Sequence, residues 1–462
     1  MVIHLHEDTI AAVSTPAGEG GIGIVRLSGC SAVKIAREIF ILPKGKGLVK
    51  FKSRVLNYGY IIDGKKKIDE VLLAVMKAPG TYTREDIVEI NCHGGITALR
   101  KVLELTLKHG ARPAEPGEFT KRAFLKGRLD LSQAEAVLDI IEAKTEAGLR
   151  VSLNQLEGEL SREVKFARKS IMEICADMEA SMDFPEEDIT PKTKKAWISG
   201  VKDSRRRLEK LLSTYHDGAI LKEGIVAVIC GRPNVGKSSL LNVLLRKNKA
   251  IVTHLPGTTR DPIEEMASIK GIPMRLVDTA GIRKEKGIIE KEGIKRSHLY
   301  LRRADLILCV LDGSERLKKE DREILGKIRP ANTITVINKC DLKIRLNTKD
   351  ITKMVKARDV VRVSCLTKIG IDKLEDRIYN KVWSGKVHTS NEAMVNNIRH
   401  KAAIEDAVRQ LSQAEDSIEK ELSLEFPASD LKESASSLGG ITGEEYAEDL
   451  LNIIFSKFCI GK

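Results

Sequence analysis

Through about residue 120 the chain alternates short β-rich apolar runs with glycine turns. Residues 9–13, 23–27 and 69–75 read as strands, and helical patterns near 31–40 and 95–109 interrupt them. That mixture predicts a small α+β domain. From Leu131 the period becomes helical. Ser132-Gln-Ala-Glu135 has the form of a capping box, in which each side chain satisfies a free backbone N–H. Leu149, Leu153, Leu156, Leu160, Val164, Ala167, Ile171, Ile174 and Met178 then recur at steps of three and four, one long stripe ended by Asp183-Phe-Pro185. Thr190-Pro191 restarts a helix, Thr as N-cap and Pro in the first turn, running to about Asp217. From Ile225 to near Val382 the pattern is strand, loop, helix, repeated, which predicts an α/β domain. Residues 391–422 return to the helical period with Val395, Ile398, Ile404, Val408, Leu411 and Ile418. A Ser/Gly-rich connection is expected from Ser434 to Gly440. Thr442-Gly-Glu-Glu445 should then cap a last helix lined by Ala447, Leu450, Leu451, Ile454 and Phe458. Two helical segments thus flank the α/β unit, each with a stripe to bury. Packing on each other and a coiled-coil or dimer interface both satisfy them.

Composition narrows the class. At 462 residues and 42% hydrophobic there is material for about three domains. No apolar run approaches the roughly 20 residues of a membrane span. The opening residues, Met1-Val-Ile-His-Leu-His-Glu-Asp8, lack the basic-then-apolar pattern of a signal peptide. The expectation is a cytoplasmic protein with no membrane partner. The 8 cysteines are scattered without a Cys-x-x-Cys pair, which fits reduced thiols and not a disulfide framework or zinc site. A net charge of +13 favours a polyanionic partner, or is a basic surface that aids solubility. With 4% aromatics there is little for a base-stacking platform, whereas phosphate contacts to a folded RNA need none.

The chemistry concentrates between residues 231 and 365. Residues 231–238 read Gly-Arg-Pro-Asn-Val-Gly-Lys-Ser, a G-x-x-x-x-G-K-[ST] phosphate loop between a strand at 225–230 and a helix at 239–245. Val235, Gly236, Lys237, Ser238 and Ser239 would cradle phosphates, Lys237 reaching the β- and γ-phosphates and Ser238 ligating Mg²⁺. Thr253, His254, Leu255, Pro256, Gly257, Thr258 and Thr259 follow, with Thr259 as a second Mg²⁺ hydroxyl. Asp278-Thr279-Ala280-Gly281 ends a strand; Asp278 would hold Mg²⁺ through water and the Gly281 N–H would meet the γ-phosphate. In Asn338-Lys339-Cys-Asp341, Asp341 can accept both N–H groups of guanine, a pair adenine does not offer. Ser364 and Cys365 complete the base pocket. The order and spacing specify GTP. Ile282 stands where Ras-like enzymes place a water-orienting Gln, so Glu285 and Glu290 become candidates for that task. Asn234 is either a turn residue or a ligand of a monovalent cation that would supply positive charge near the phosphates.

Two terminal features remain. Gly18-Glu-Gly-Gly-Ile-Gly23 is formally G-x-G-x-x-G, but a strand follows it and not a helix, so it reads as a turn between strands and not as a dinucleotide fingerprint. Cys459-Ile-Gly-Lys462 fits prenylation poorly.

Together, Asp8-Thr-Ile-Ala-Ala12, Gly20-Gly-Ile-Gly-Ile-Val-Arg26, residues 89–95, Pro116-Gly-Glu-Phe119, Arg128-Leu-Asp-Leu-Ser-Gln-Ala-Glu135, the GTPase set and the final Phe-Cys-Ile-Gly-Lys resemble the MnmE (TrmE) family of tRNA-modifying GTPases along the whole chain. The resemblance implies a multidomain α/β protein. It has an N-terminal α+β folate-binding and dimerisation domain (1–120), a two-segment α-helical domain (121–222 and 385–462) and an inserted Ras-like α/β P-loop G domain (223–384). It implies a homodimer working with an MnmG-type FAD protein, as a heterotetramer, to place a carboxymethylaminomethyl-type group on C5 of the tRNA wobble uridine. It implies GTP, Mg²⁺, K⁺ and 5-formyltetrahydrofolate or a related folate as ligands. Asn234, Thr253, Leu255 and Thr258 match the family's K⁺ site, and Glu290 its water-positioning residue. Arg26, Glu89, Arg128 and Lys462 match its folate site, although Arg26 and Glu89 alone read as a strand-edge arginine and a strand carboxylate. Cys459 matches the cysteine implicated in modification. A ribosome-assembly or regulatory GTPase with RNA-binding flanks is the alternative; it needs neither the cysteine motif nor the Gly-Ile-Gly-Ile-Val-Arg block.

Overall fold

The computed structural model describes residues 8–16, 18–43, 51–183, 191–248, 264–278, 300–328, 330–383 and 393–462. Contacts divide the chain into two units, Met1–Leu138 with Ala435–Lys462, and Asp139–Ser434.

The first unit is built on β1 (Ile10–Val13), β2 (Gly20–Ser28), β3 (Phe40–Ile41), β4 (Leu56–Asp63), β5 (Lys66–Met76), β6 (Ile87–Gly94) and β7 (Arg112–Pro113), in the sheet order β3-β4-β5-β6-β2-β1-β7. All neighbours are antiparallel except β1 and β7. Side chains alternate across the pleat. Val25, Leu27, Leu73 and Ile90 join a core with Ile35, Ile39 and Val102 of helices Ala32–Ile39 and Ile96–Lys108. The glycine-rich segment is part of β2 and not a simple turn. β2 starts at Gly20 and bulges before Gly23, because Gly94 crosses so closely that a Cβ on it would lie 2.3 Å from the Gly20 carbonyl oxygen. The helix after Arg128 spans Leu131–Glu142, and its capping box lies two residues earlier than expected. Asp130 Oδ1 accepts from the Gln133 N–H (3.0 Å) while Gln133 Oε1 accepts from the Asp130 N–H (2.9 Å). Phe124, Leu131, Leu451, Ile454, Phe455 and Phe458 form a second core. The last helix is Glu448–Phe455, with Ala447 at its N-cap; Thr442 ends the preceding helix, so it does not cap the last one.

In the second unit, helix Glu159–Asp183 buries Leu160, Val164, Ala167, Ile171 and Met178. Helix Pro191–Leu212 packs between it and Ile398–Glu419; it buries Trp197, Val201 and Leu208, and Ile398–Glu419 buries Ile404, Leu411 and Ile418. The two flanking segments therefore do cover each other. The predicted continuous stripe breaks at Gly158, whose φ of +84° ends helix Glu146–Leu156. Leu149 and Leu153 face solvent, and the inward face carries Gly148, Ser152 and Gln155 because a Cβ on Gly148 would already lie 2.7 Å from the Leu221 carbonyl oxygen. The helix predicted to reach Asp217 stops at Leu212, and Tyr215–Glu223 follows. Residues 434–440 are helical, inside Glu425–Thr442. Leu431, Ala435, Leu438 and Ile441 are buried at helical spacing, and the small Ser434 donates to the Ala407 carbonyl at 3.2 Å.

The α/β part of this unit has β8 (Ile225–Cys230), β9 (Glu264–Ile269), β10 (Ile272–Asp278), β11 (Leu306–Asp312), β12 (Thr333–Asn338) and β13 (Val360–Arg362), in the order β13-β12-β11-β8-β10-β9. Only β9 runs antiparallel. Helices Lys237–Asn248 and Ile371–Val382 cover one face and Lys319–Lys327 the other, so the central strands are apolar on both sides. Strand order reverses between β8 and its neighbours β11 and β10, and ligands of such sheets bind outside the carboxyl end of that strand.

Candidate nucleotide site and tail site

The phosphate loop leaves β8 at that reversal. Gly231, Asn234 and Gly236 take φ of +147°, +64° and +97° before helix Lys237–Asn248 begins, and a helix N-terminus is a ready site for anions. Lys237 is buried, and its Nζ donates to the Arg232 carbonyl at 2.8 Å. Arg232 is anchored outside the loop, ion-paired with Glu315 and donating from Nε to Asp321 at 3.2 Å. Ser238 Oγ donates to Asp278 Oδ2 at 2.9 Å. This brings the predicted hydroxyl and carboxylate together from helix and β10. An all-oxygen pair of this kind suits a hard divalent cation.

Asn338 bolts the two halves of the site together. Its amide donates to the Val235 carbonyl at 3.0 Å and its Oδ1 accepts from the Cys365 N–H at 3.1 Å. A Cβ on Gly236 would lie 2.2 Å from the Asn338 amide nitrogen, so only glycine lets the phosphate loop approach this closely. Lys339 has φ +63° and donates to Asp312 at 2.6 Å. Burial alone would raise the Asp312 carboxyl, but Lys339 and Ser314 hold it below its ordinary value. Ser364 is buried and its Oγ accepts from the Thr367 N–H at 3.1 Å. The Cys365 thiol is pushed up to about 11, first by burial and then by the Asp341 carboxylate beside it. Asp341 itself is exposed at the rim, open to a base.

Thr253, His254, Leu255, Pro256, Gly257, Thr258, Thr259, Thr279, Ala280, Gly281, Ile282, Glu285 and Glu290 lie outside the described residues. Sequence reasoning missed Arg232, Asp312 and Asp321. Asp312 was within reach, since it ends the apolar run Leu306–Asp312 as Asp278 ends β10.

The first unit assembles the other predicted residues. Arg26 and Glu89 are in register across β2 and β6 and paired at 2.7 Å. Arg26 Nη1 donates to the Gly461 carbonyl at 3.2 Å, and its guanidinium sits 5.8 Å from the Phe119 ring centroid. Arg128 lies over the Tyr82 ring at 4.6 Å. Burial pushes the Tyr82 phenol up, against the pull of its Thr120 hydrogen bond and the Arg128 and Arg26 charges. Burial, then the Arg26 charge, holds the Lys462 ammonium below its ordinary value. Arg26, Glu89, Arg128 and Lys462 therefore surround one neighbourhood with two aromatic faces. Cys459 is exposed beside it.

The family model of the MnmE helical domain matches residues 131–459, and that of the GTP-binding protein TrmE N-terminus matches residues 9–128. The chain belongs to the MnmE family. The MnmE of Clostridioides difficile (strain 630), named a tRNA modification GTPase, is 48% identical over 456 residues, 99% of each chain. That of Bacillus subtilis (strain 168), with the same name, is 46% identical over 458 residues, 98% of this chain and 100% of the other. The solved G domain of the T. maritima FeoB iron transporter is 27% identical over 34% of this chain and 98% of its own, with a TM-score of 0.25. MnmE membership gives the fold as the sequence predicts it: an N-terminal TrmE domain, a helical domain in two segments and a P-loop G domain between them. The MnmE helical match begins and ends on either side of the phosphate loop, as an inserted G domain requires. No helix among the described residues is long and apolar enough to cross a membrane.

Proposed function

We propose that this chain is a GTP hydrolase of tRNA modification, and that it acts with an MnmG-type FAD protein to build a carboxymethylaminomethyl-type group on C5 of the wobble uridine. The observation that carries the reading is identity of 48% across 99% of both chains, because a match of that extent spans the first unit, the helical segments and the G domain together. On this reading each residue has a task. Lys237 exchanges the Arg232 carbonyl for phosphate oxygens. Ser238 and Asp278 would hold Mg²⁺, whose charge offsets that of the phosphates. Asn338 fixes the phosphate loop against the base loop, and Asp341 accepts the guanine N–H pair while Ser364 and Cys365 wall the pocket. Asn234, Thr253, Leu255 and Thr258 would hold K⁺, and Glu290 would position water. Arg26, Glu89, Arg128 and Lys462 are assigned to a folate, whose anionic tail and flat ring suit cations beside Tyr82 and Phe119. A homodimer through the first unit is supported by its uncovered sheet face, where Ile22, Leu56, Tyr58 and Leu72 are exposed.

Mass spectrometry of tRNA nucleosides from cells lacking this protein tests the reading. The modified wobble uridine should vanish and return with the full chain; an unaltered wobble uridine overturns it.

A further inference from the structure

The last four residues are gripped almost wholly by their backbone. Ile460 forms an antiparallel bridge with Pro116. The Gly117 N–H donates to the Cys459 carbonyl at 3.4 Å and the Phe119 N–H to the Lys462 carbonyl at 3.2 Å. The Gly461 carbonyl accepts from Ser14 Oγ and from Arg26 Nη1, both at 3.2 Å. Gly461 is buried with φ +96°, and a Cβ there would lie 2.4 Å from the Val13 carbonyl oxygen. Gly117, with φ +67°, lies against the end of the last helix, and a Cβ on it would lie 2.8 Å from the Phe455 carbonyl oxygen. Both sides of the clamp thus need glycine, for close approach and for the left-handed backbone. Arg26 links the sheet to the tail: Nε and Nη2 go to Glu89, and Nη1 goes to the Gly461 carbonyl.

The clamp grips the main chain and leaves the Cys459 side chain in solvent. Burying Cys459 would not need this arrangement, and holding a mere terminus would not need Arg26. What the contacts achieve is a fixed place for one exposed thiol, two residues from the Gly461 carbonyl that Arg26 holds. We propose that Gly461 and Arg26 are positioning residues that set Cys459 for its part in tRNA modification; this rests on the reading that Cys459 takes part. Misplacing a reacting or guiding group by about 1 Å can cost on the order of 10²-fold in rate.

The test is Gly461→Val in the full chain, expressed in cells that lack the wild type, with Cys459→Ser alongside. Gly461→Val removes no side chain and should only lever the tail away from Val13. Wobble-uridine modification should fall at least about 10-fold, while the purified variant keeps its GTP hydrolysis rate. Iodoacetamide alkylation, read residue by residue by mass spectrometry, should speed up several-fold at Cys459 and stay constant at Cys30, the other exposed thiol of the unit. Ser14→Ala, which removes one of the two donors to Gly461, should give a smaller change in the same direction. Full modification by Cys459→Ser would overturn the reading beneath the proposal. Loss in Cys459→Ser with full modification in Gly461→Val, or unchanged alkylation of Cys459 in Gly461→Val, would overturn the positioning role alone.

Discussion

Asp341 sits at the rim of the base pocket, close enough for its charge to raise the Cys365 thiol. A carboxylate there is an acceptor at both oxygens, which is what guanine's two N–H groups require. Asp341→Asn replaces one acceptor by a donor. Hydrogen bonds to charged groups contribute about 1.5–3 kcal/mol each, so GTP affinity should fall by roughly 10²-fold. Xanthosine triphosphate, with a carbonyl in place of the exocyclic amine, should gain affinity. Competition against a fluorescent GTP analogue measures both, and an unchanged preference for GTP would remove Asp341 from base recognition. At the same scale, Asn234 has a left-handed backbone (φ +64°) inside the phosphate loop. If it helps hold K⁺, GTP hydrolysis is faster in K⁺ than in Na⁺ at equal ionic strength. Equal rates in a stopped assay would count against that assignment.

The phosphate loop as an element depends on its approach to β12. Gly236→Ala drives a Cβ toward the Asn338 amide and strains a backbone with φ +97°. The Asn338 bonds to Val235 and Cys365 should then open, with GTP affinity lowered at least about 10-fold. Gly236→Ala with Asn338→Ala should cost less than the two singles added, because the clash partner is gone. Strict additivity in nucleotide titrations would show that the two positions do not meet. The same elements show what a sequence reveals. Buried parallel strands such as Ile225–Cys230 and Thr333–Asn338 are continuous apolar runs, and a loop motif set between such a strand and a helix is legible from spacing alone. The break at Gly158, the exposure of Leu149 and Leu153 and the helicity of residues 434–440 were not legible. The last two are decided by how closely a second backbone approaches, Leu221 to Gly148 and Ala407 to Ser434, and periodicity carries no such distance; the first is decided by the left-handed backbone at Gly158. The clamp on Gly461 was hidden because close approach is not legible either, since its partners Val13, Arg26 and Pro116 are more than 300 positions away.

At the scale of the molecule, the first unit carries an ionic network that the sequence motifs do not announce. Three cations, Arg112, Arg122 and Lys126, meet three carboxylates, Asp8, Glu85 and Glu118. Arg122 and Glu118 are buried and 2.9 Å apart. Burial alone would raise the Asp8 and Glu118 carboxyls, but Arg112 and Arg122, with the Glu115 N–H for Glu118, hold both below their ordinary values. Carboxyls depressed in the folded state stabilise it fully above the ordinary carboxylate range, and that contribution is lost as pH falls through their folded values. The first unit should therefore loosen below about pH 4, where the unfolded chain takes up protons more readily. Glu118→Gln leaves Arg122 short of a charge and should cost about 3–5 kcal/mol at neutral pH. The cost should shrink on acidification as the wild-type carboxyls become protonated. Glu118 opens helix Glu118–Leu125 directly after Gly117, whose N–H holds the Cys459 carbonyl. Hydrogen exchange read by mass spectrometry should accordingly rise in residues 118–125 and 456–462 together, while β8 in the other unit keeps its protection. Faster exchange in the helix with an unmoved tail would show that the network supports the fold without fixing Cys459.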